Sequence, residues 1–383
     1  METATFQFKN NQWSVSRFPE LDSPQTLIHI FASPKFINNP EPIDELCKHY
    51  PNSKIIGCST AGEIAGEFIY DNSISVSVTR FKHTTIEITS TEISSAEESF
   101  TAGQKIVSAL EKNNLKHIFV LSDGLNVNGT ALTDGLNSMK MKEVIVTGGL
   151  AGDGSEFKRT WVIYQGKILR KTIVAIGLYG DKIKVGHASQ GGWSIFGPER
   201  VITRSQDNIL FELDGKPALA LYKEYLGDKI SGLPATGLLF PLAIRSTERD
   251  SKQLVRTILA IDEKNQSLIF AGNMPNGYLA QLMRANFDRL ITASSDAGQL
   301  ASQHIDNKKN LQGSVLAIAI SCVGRRLLLG ERTDEETQAT LETLPSGTHQ
   351  LGFYSYGELS PYTQENNCDL HNQTMTMTIY HEE

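Results

Sequence analysis

Short apolar runs of strand length recur along the chain, and in its first half they alternate with segments of helical spacing. Thr26–Ala32 and Lys54–Cys58 predict two buried strands, with a helix over Pro40–Tyr50 between them. Proline and acidic residues near the start of that segment suit the first turn of a helix. Ser73–Thr79 and Thr85–Ile93 alternate apolar and polar residues, as half-buried antiparallel strands do. The pattern predicts an α/β to α+β protein with mixed β-sheets flanked by helices.

The length of the chain predicts two domains. Its 383 residues, 40% of them hydrophobic, are enough to bury a sizeable core. We place the boundary after a predicted helix over Ala218–Leu226, where Gly227 and Asp228 give a stop signal. This predicts domains over residues 25–225 and 226–383. In the second domain, Tyr278–Ser302 predicts one long, mostly helical segment.

Composition excludes several classes of partner. The net charge is −7 and no basic stripe offsets it, which argues against a nucleic-acid-binding protein. The four cysteines have no metal-binding or haem-attachment spacing, and their low number favours a reducing compartment. The first residues lack the apolar run of a signal peptide. The longest apolar stretch, Val315–Ile320, is too short to span a bilayer. We therefore expect a cytoplasmic protein with no membrane partner.

Two adjacent arginines follow an apolar strand in the segment Ser321–Arg326. The planar guanidinium of arginine matches the two oxygens of a carboxylate or phosphate, so Arg325 and Arg326 are candidate ligand anchors. If the segment is extended, one side chain faces a pocket and the other an acidic partner. The alternative is that the pair only forms ion pairs with Glu331 or Asp334.

Cys322 and His371 are the candidate reactive residues. A thiol beside arginines has its thiolate favoured, although many buried cysteines are inert. A neutral imidazole can bind a metal or haem iron, or can be a satisfied structural residue. Asn372 adds a donor and an acceptor beside the histidine. With Glu358 or Asp369 orienting His371, the thiol and imidazole would form a nucleophile and its base. A cysteine-nucleophile enzyme is therefore the alternative to a binding protein.

The segment Gly352–Leu359 supplies aromatic surface near that histidine. In a strand, Tyr354 and Tyr356 share one face, which could stack on a flat ligand or pack as an ordinary half-buried strand. Nucleotide-binding and hydrolase motifs are absent, so we expect binding and not catalysis. The candidate ligand-binding residues are Cys322, Arg325, Arg326, Tyr354, Tyr356, Glu358, His371 and Asn372, with His371 as the candidate metal ligand.

Several segments in this order together resemble the FIST sensory family. They are Gly57–Ile64, Gly148–Asp153, Ser321–Arg325, Gly352–Glu358 and His371–Thr376. The resemblance runs from about residue 25 to the C-terminus and covers an N-terminal and a C-terminal FIST region.

The resemblance implies an intracellular sensor that binds a small ligand. The ligand would be haem with nitric oxide, as in some bacterial members, or an amino-acid-like carboxylate. His371 would then be the iron ligand, and Arg325 or Arg326 would hold a propionate or carboxylate. It also implies a separate signalling partner, either a histidine kinase or a cyclic-dinucleotide enzyme (a diguanylate cyclase or phosphodiesterase).

Overall fold

A computed structural model of the chain describes residues 1–233, 235–250, 252–303, 305, 314–362 and 367–383. The chain begins with strands and helices in alternation. In chain order they are β1 (Glu2–Lys9), β2 (Gln12–Trp13), β3 (Thr26–Ala32), α1 (Glu41–His49), β4 (Lys54–Ser59), β5 (Glu63–Ala65), β6 (Phe68–Tyr70), β7 (Ile74–Arg80), β8 (Thr85–Glu92), α2 (Ser99–Leu110), β9 (Leu115–Ser122), α3 (Gly129–Met139), β10 (Ile145–Leu150), β11 (Val162–Tyr164), β12 (Lys167–Leu169) and β13 (Thr172–Tyr179).

A strand-rich region follows, and the chain then returns to alternating helices and strands. The strand-rich region contains β14 (Ile183–Gln190), β15 (Ser194–Gln206), β16 (Ile209–Leu213), β17 (Lys216–Pro217), α4 (Ala218–Leu226), β18 (Leu242–Arg245), β19 (Leu254–Arg256), β20 (Ile258–Asp262), β21 (Ser267–Phe270) and β22 (Leu279–Arg284). The remaining elements are α5 (Phe287–Gln303), β23 (Leu316–Cys322), α6 (Val323–Leu329), α7 (Thr333–Thr343), β24 (His349–Ser355), β25 (Gly357–Pro361), β26 (Cys368–His371) and β27 (Met375–Glu382).

These strands form four sheets. The first sheet has the order β12-β11-β4-β3-β7-β1-β2, the second β26-β25-β10-β9-β13-β8, and the third β14-β27-β23-β24-β5-β6. The fourth has the order β19-β18-β22-β15-β16-β21-β20, with β17 beside β16. Each of the first three sheets contains one parallel pair, β3–β4, β9–β10 or β23–β24, among antiparallel pairs. The prediction of an α/β to α+β fold with mixed sheets is confirmed.

The second and third sheets combine strands from both ends of the chain. In the second sheet, β25 pairs with β10, so Gly148 lies opposite Leu359. In the third sheet, β24 pairs with β5, so Phe353 lies opposite Glu63. The N-terminal and C-terminal regions therefore share their sheets, while the predicted boundary at residues 225 and 226 stays a prediction.

The first three sheets pack around a common core. Phe31 of the first sheet, Phe119 of the second and Phe353 of the third belong to one cluster of fully buried side chains. Every residue of β3 and β23 is buried, which explains why their sequences read as continuous apolar runs. The fourth sheet has a separate core built around α4, with Tyr222 and Phe270 among its members. A cleft can therefore form where the fourth sheet meets the other three.

The prediction of one long helix over Tyr278–Ser302 is wrong at its start. Leu279–Arg284 forms β22, which pairs with β15 on one side and β18 on the other. The helix begins only after Asn286, whose Oδ1 accepts a hydrogen bond from the backbone N–H of Arg289 at 3.1 Å. Pairing on both edges thus prevails over the local helical spacing. Within the described residues, no helix is both long and apolar enough to cross a membrane.

Candidate functional site

A cleft lies between the fourth sheet and the ends of strands from the second and third sheets. It encloses a cavity of about 270 Å³. One wall comes from the C-terminal end of β23 and the start of α6, with Tyr356 and Asn372 beside them; the other comes from β20 and the segments around it. The lining residues are Phe157, Gly232, Leu233, Leu238, Thr257, Ile258, Leu259, Ala271, Cys322, Val323, Gly324, Leu327, Tyr356 and Asn372. The carboxyl ends of parallel strands are a common place for ligands in such folds.

Three of the predicted site residues, Cys322, Tyr356 and Asn372, meet in this cleft. Asn372 is 1% exposed, and its Nδ2 donates to the carbonyl of His371 at 3.0 Å. Its Oδ1 has no hydrogen-bond partner among the described residues, and neither does Oγ1 of the buried Thr257. A buried polar atom without a partner costs about 1–3 kcal/mol. Two such atoms in one cleft indicate a place where a ligand supplies the missing bonds.

The backbone of the residue after Asn372 is strained. Gln373 has a φ of 61°, in the left-handed region, and both polar atoms of its side chain lack a described partner. Its amide packs against Gly324, where an added Cβ would lie 2.5 Å from Nε2. Its carbonyl accepts from the indole N–H of Trp193 at 2.8 Å. Strain and unpaired amides next to a cleft are features of binding sites in general.

Arg325 lies behind the cleft and not in it. Its side chain has no exposed surface and forms an ion pair with the equally buried Glu336 at 2.7 Å. Its other nitrogen contacts are with the carbonyls of Gly191 and Leu290, at 2.7 and 2.8 Å, and with Ser294 Oγ at 2.9 Å. Every guanidinium nitrogen donates to the protein. The predicted role of Arg325 as a ligand anchor needs an unpaired guanidinium nitrogen, and this side chain has none.

Glu336 connects Arg325 to two strands, β23 and β24. Besides Arg325, its carboxylate accepts from Ser321 Oγ at 2.9 Å and from the Tyr354 hydroxyl at 2.6 Å. The acidic alternatives named from the sequence, Glu331 and Asp334, are not the partner. The reason is that α6 begins directly after Cys322, so the arginine turns inward on a helix instead of lying in an extended strand.

Arg326 lies in a neighbouring cavity of about 580 Å³. Its guanidinium donates to Asp71 at 2.7 and 2.9 Å and to the carbonyl of Ala61 at 2.6 Å. Gly62 makes room for it, since a Cβ there would lie 2.5 Å from Nη1 and the glycine has a φ of 137°. Val323 lines both cavities. The guanidinium of Arg326 therefore lies next to the cleft, where it is paired with Asp71 of the N-terminal region.

Tyr354 and Tyr356 do not share a face, contrary to the prediction. β24 ends at Ser355 and β25 begins at Gly357, so the chain bends at Tyr356 and the alternation of an extended strand is broken. Tyr354 points into the buried cluster at Glu336. The ring of Tyr356 lines the cleft, while its hydroxyl contacts the Asp153 carboxylate.

His371 and Glu358 are buried in the β25–β26 hairpin. The imidazole Nε2 lies 2.9 Å from the carbonyl oxygen of Ser360, and the ring stacks on Tyr362 at 5.9 Å. Burial lowers the pKa of His371 to about 4. Burial raises the pKa of Glu358 to about 8, although Ser355 Oγ donates to its carboxylate at 2.6 Å. Both groups are therefore neutral near pH 7, and their hydrogen bonds stabilise the hairpin.

Haem does not fit these surroundings of His371. The imidazole Nε2 is directed to the carbonyl of Ser360, and His371 as a residue is 2% exposed, which leaves no room for a haem against the ring. Asn372, the next residue, faces the cleft instead. In the part of the chain that the structure describes, no group of three or more histidine, cysteine, aspartate or glutamate side chains could hold a metal ion.

Cys322 lines the cleft as a protonated thiol. Burial first, and the Glu358 carboxyl second, raise the pKa of this thiol. A nucleophilic cysteine needs the opposite shift, because the thiolate is the reactive form. Ser360 holds the imidazole nitrogen of His371 that could act as its base. Cys322 is therefore a small apolar part of the wall.

Comparison with known proteins gives the family. The sequence matches the FIST N domain over residues 26–216 and the FIST C domain over residues 218–361. The chain belongs to the FIST family. FIST domains are sensory domains of signal transduction. The predicted family resemblance is confirmed.

A relative from an archaeon shows how far the similarity extends. An uncharacterised protein of Methanocaldococcus jannaschii is 23% identical over 358 residues, and the match covers 85% of this FIST protein. The match spans 64% of that relative, less than two thirds of its length.

Sequence reasoning missed the residues that the fourth sheet contributes. Thr257, Ile258 and Leu259 lie in what reads only as a hairpin strand, and no local motif marks them as part of a site. Phe157 follows the glycine cluster after β10 and has a φ of 53°, which is rare for an aromatic residue. Glu336 lies on α7 among other acidic residues, and no local motif distinguishes it from its exposed neighbours Asp334 and Glu335.

Proposed function

We propose that this FIST protein is a sensor that binds a small molecule in the cleft and reports its presence to a separate partner. The observation that carries the proposal is the buried Asn372, whose Oδ1 lacks a partner at the wall of the cleft. Cys322 and Tyr356, chosen from the sequence as ligand-binding residues, line the same cleft. A concave, mostly apolar cavity with a few polar atoms is the usual form of a small-molecule site.

The position of the cleft supports a sensory role. One wall belongs to the shared sheets of the FIST N and FIST C regions, and the other belongs to the fourth sheet. A ligand that contacts both walls stabilises their closed arrangement by its differential affinity for that state. The change in population is a signal that a partner can read. The resemblance points to a histidine kinase, a diguanylate cyclase or a phosphodiesterase in the cytoplasm as that partner.

Each of the two ligands named from the family resemblance would need a rearrangement of side chains that are already paired. A carboxylate of an amino-acid-like ligand would need Arg326 to exchange Asp71 for the ligand, because Arg325 is saturated. Haem with nitric oxide would need His371 to release Ser360. Adding hemin to the purified protein tests the second version, since binding through His371 requires a Soret band that His371→Ala removes.

The enzyme alternative makes an opposite prediction for Cys322. A nucleophilic thiol would be alkylated rapidly and stoichiometrically near neutral pH, whereas the buried, protonated thiol described above reacts slowly. Rates of alkylation with iodoacetamide, followed by mass spectrometry of the intact protein, separate the two. Rapid labelling of Cys322 alone would favour the enzyme.

Native mass spectrometry of the full chain tests the sensor proposal. We expect protein that has been incubated with a cell metabolite extract to carry a bound small molecule. Asn372→Leu, which removes the acceptor at similar volume, should lower the bound fraction at least about tenfold. Gln338→Leu changes an exposed amide on α7 and is the control. If the unaltered protein carries no small molecule, or Asn372→Leu carries as much as Gln338→Leu, the proposal fails.

A further inference from the structure

We infer that the cleft takes a neutral, flat and largely apolar molecule that carries an N–H or O–H donor. This inference rests on the proposed function and names the chemical class of the ligand. It depends on four features of the cleft: the charge of its lining, its unpaired acceptor, its aromatic wall and its volume.

The lining excludes a charged ligand. Among the described residues around the cleft there is no aspartate, glutamate, lysine, arginine or histidine. Moving an ion from water into such surroundings without a counter-charge costs several kcal/mol. The nearest cation that could serve, Arg326, lies in the neighbouring cavity and is paired with Asp71. A neutral molecule avoids this cost.

The unpaired oxygens define where the ligand donates. Asn372 gives its amide nitrogen to the carbonyl of His371, which fixes the orientation of the amide and leaves Oδ1 as an acceptor. The hydroxyl of Thr257 is also without a described partner and lines the same cleft. A ligand N–H or O–H satisfies Asn372, and the Thr257 hydroxyl can donate or accept as the ligand requires.

An aromatic pair gives the cleft a flat wall. The rings of Phe157 and Tyr356 stack at 4.5 Å with an angle of 14° between their planes. The Tyr356 hydroxyl donates to the Asp153 carboxylate and lies 3.1 Å from the carbonyl oxygen of Gly154, so the ring and not the hydroxyl faces the cleft. Flat, apolar groups pack well against such rings.

The volume sets the size of the ligand. An apolar cavity of about 150 Å³ is known to accept benzene. The cleft has about 270 Å³, which is room for roughly ten non-hydrogen atoms on that scale. A bicyclic aromatic with one N–H has this size, shape and donor, and indole is the simplest probe of this kind.

Calorimetric titration of the full chain with three probes on one scaffold tests the inference. Indole supplies the donor, 1-methylindole lacks it, and indole-3-carboxylate adds a negative charge. We expect indole to bind at least about tenfold more tightly than 1-methylindole, because only indole satisfies the acceptor of Asn372. Indole-3-carboxylate should bind more weakly than indole, because its charge has no partner in the cleft.

Two variants show whether the preference comes from these side chains. Asn372→Leu should abolish the difference between indole and 1-methylindole. Thr257→Val is the matched control: the single N–H of indole is used by Asn372, so this variant should keep the preference for indole over 1-methylindole and leave the Tm unchanged or higher. The comparison of indole with 1-methylindole on the unaltered protein keeps the test valid if Asn372→Leu does not fold.

Each outcome decides the inference. Equal affinities for indole and 1-methylindole would overturn the donor requirement, and tighter binding of indole-3-carboxylate would overturn neutrality. In both cases the sensor proposal would stand, because a small molecule would still bind. If no probe binds, the ligand class is wrong. The proposed function is decided separately, by the two outcomes of the metabolite experiment given above.

Discussion

Arg325 and Glu336 form an ion pair in which neither side chain has exposed surface. Removing one partner of a buried pair leaves the other charge uncompensated, which typically costs about 3–5 kcal/mol. We therefore expect Arg325→Met to lower the free energy of unfolding by about that amount, measured by chemical denaturation. Arg332→Met removes an arginine from exposed ion pairs, which contribute little to stability, and should cost much less than Arg325→Met. Equal costs for the two variants would contradict a structural role for Arg325.

Glu358 gives a pH-dependent contribution to stability. Burial raises its pKa from 4.5 to about 8 in the folded protein. The folded state therefore holds a proton that the unfolded state releases above its lower pKa. The stability from this group is fully present below about pH 4.5 and is lost as the pH rises through about 8.

Substitution of Glu358 isolates this contribution. Glu358→Gln keeps an amide in place of the protonated carboxyl but cannot ionise. We expect the free energy of unfolding of Glu358→Gln, relative to the unaltered protein, to increase as the pH rises from about 5 to about 8. Urea denaturation at several pH values measures the difference. A difference that does not vary with pH would show that the carboxyl ionises normally in the folded protein.

At the scale of elements, α3 connects the second sheet to the fourth. Its cap is Asn128, whose Oδ1 accepts from the backbone N–H of Ala131 at 3.0 Å and whose Nδ2 donates to Asn273 Oδ1 at 3.0 Å. Asn128→Ala should destabilise the protein by about 1 kcal/mol through the lost cap. Asn128→Asp keeps the cap acceptor and loses only the bond to Asn273. Thermal denaturation should give Asn128→Asp a higher Tm than Asn128→Ala. The reverse order would contradict the role of Asn128 as the cap of α3.

The sequence predicts elements well where their own pattern decides their structure. β3 and the helix α1 agree closely with the predicted Thr26–Ala32 and Pro40–Tyr50. Burial on both faces of the strand gives a continuous apolar run, and proline with acidic residues marks the first turn of the helix. β22 was predicted as helix because its strand character comes from two neighbouring strands. The bend at Tyr356 is set in the same way, by the pairing of β25 with β10 and not by a local signal.

The residues of the candidate site divide in the same way, into those that a local sequence pattern marks and those that only the fold brings to the cleft. Cys322, Tyr356 and Asn372 could be chosen from the sequence because they stand in motifs next to apolar strands. Their counterparts across the cleft, such as Thr257, lie far away in sequence and in an ordinary hairpin. Glu336 could not be predicted as the partner of Arg325. The packing of α6 and α7, and not distance along the chain, brings the two side chains together.

At the scale of the whole molecule, the FIST N and FIST C regions depend on each other. A chain cut between residues 217 and 218 would separate β5 from β24 and β10 from β25. We expect the fragment 1–217 alone to lack a cooperative thermal transition, because exposed edges and part of the common core remain uncovered. The two fragments expressed together should associate and regain the transition, which circular dichroism and size-exclusion chromatography would detect. An independently folded fragment 1–217 would contradict this dependence.

The shared sheets also fix when this protein can finish folding during its synthesis. The edge of β10 receives its neighbour only when residues 357–361 have been made. Synthesis proceeds from the N-terminus at about 5–20 residues per second, so that edge stays open for on the order of ten seconds or more. During that interval the nascent chain presents a bare strand edge and part of an apolar interior, and it depends on the ribosome and chaperones for protection until β25 has been made.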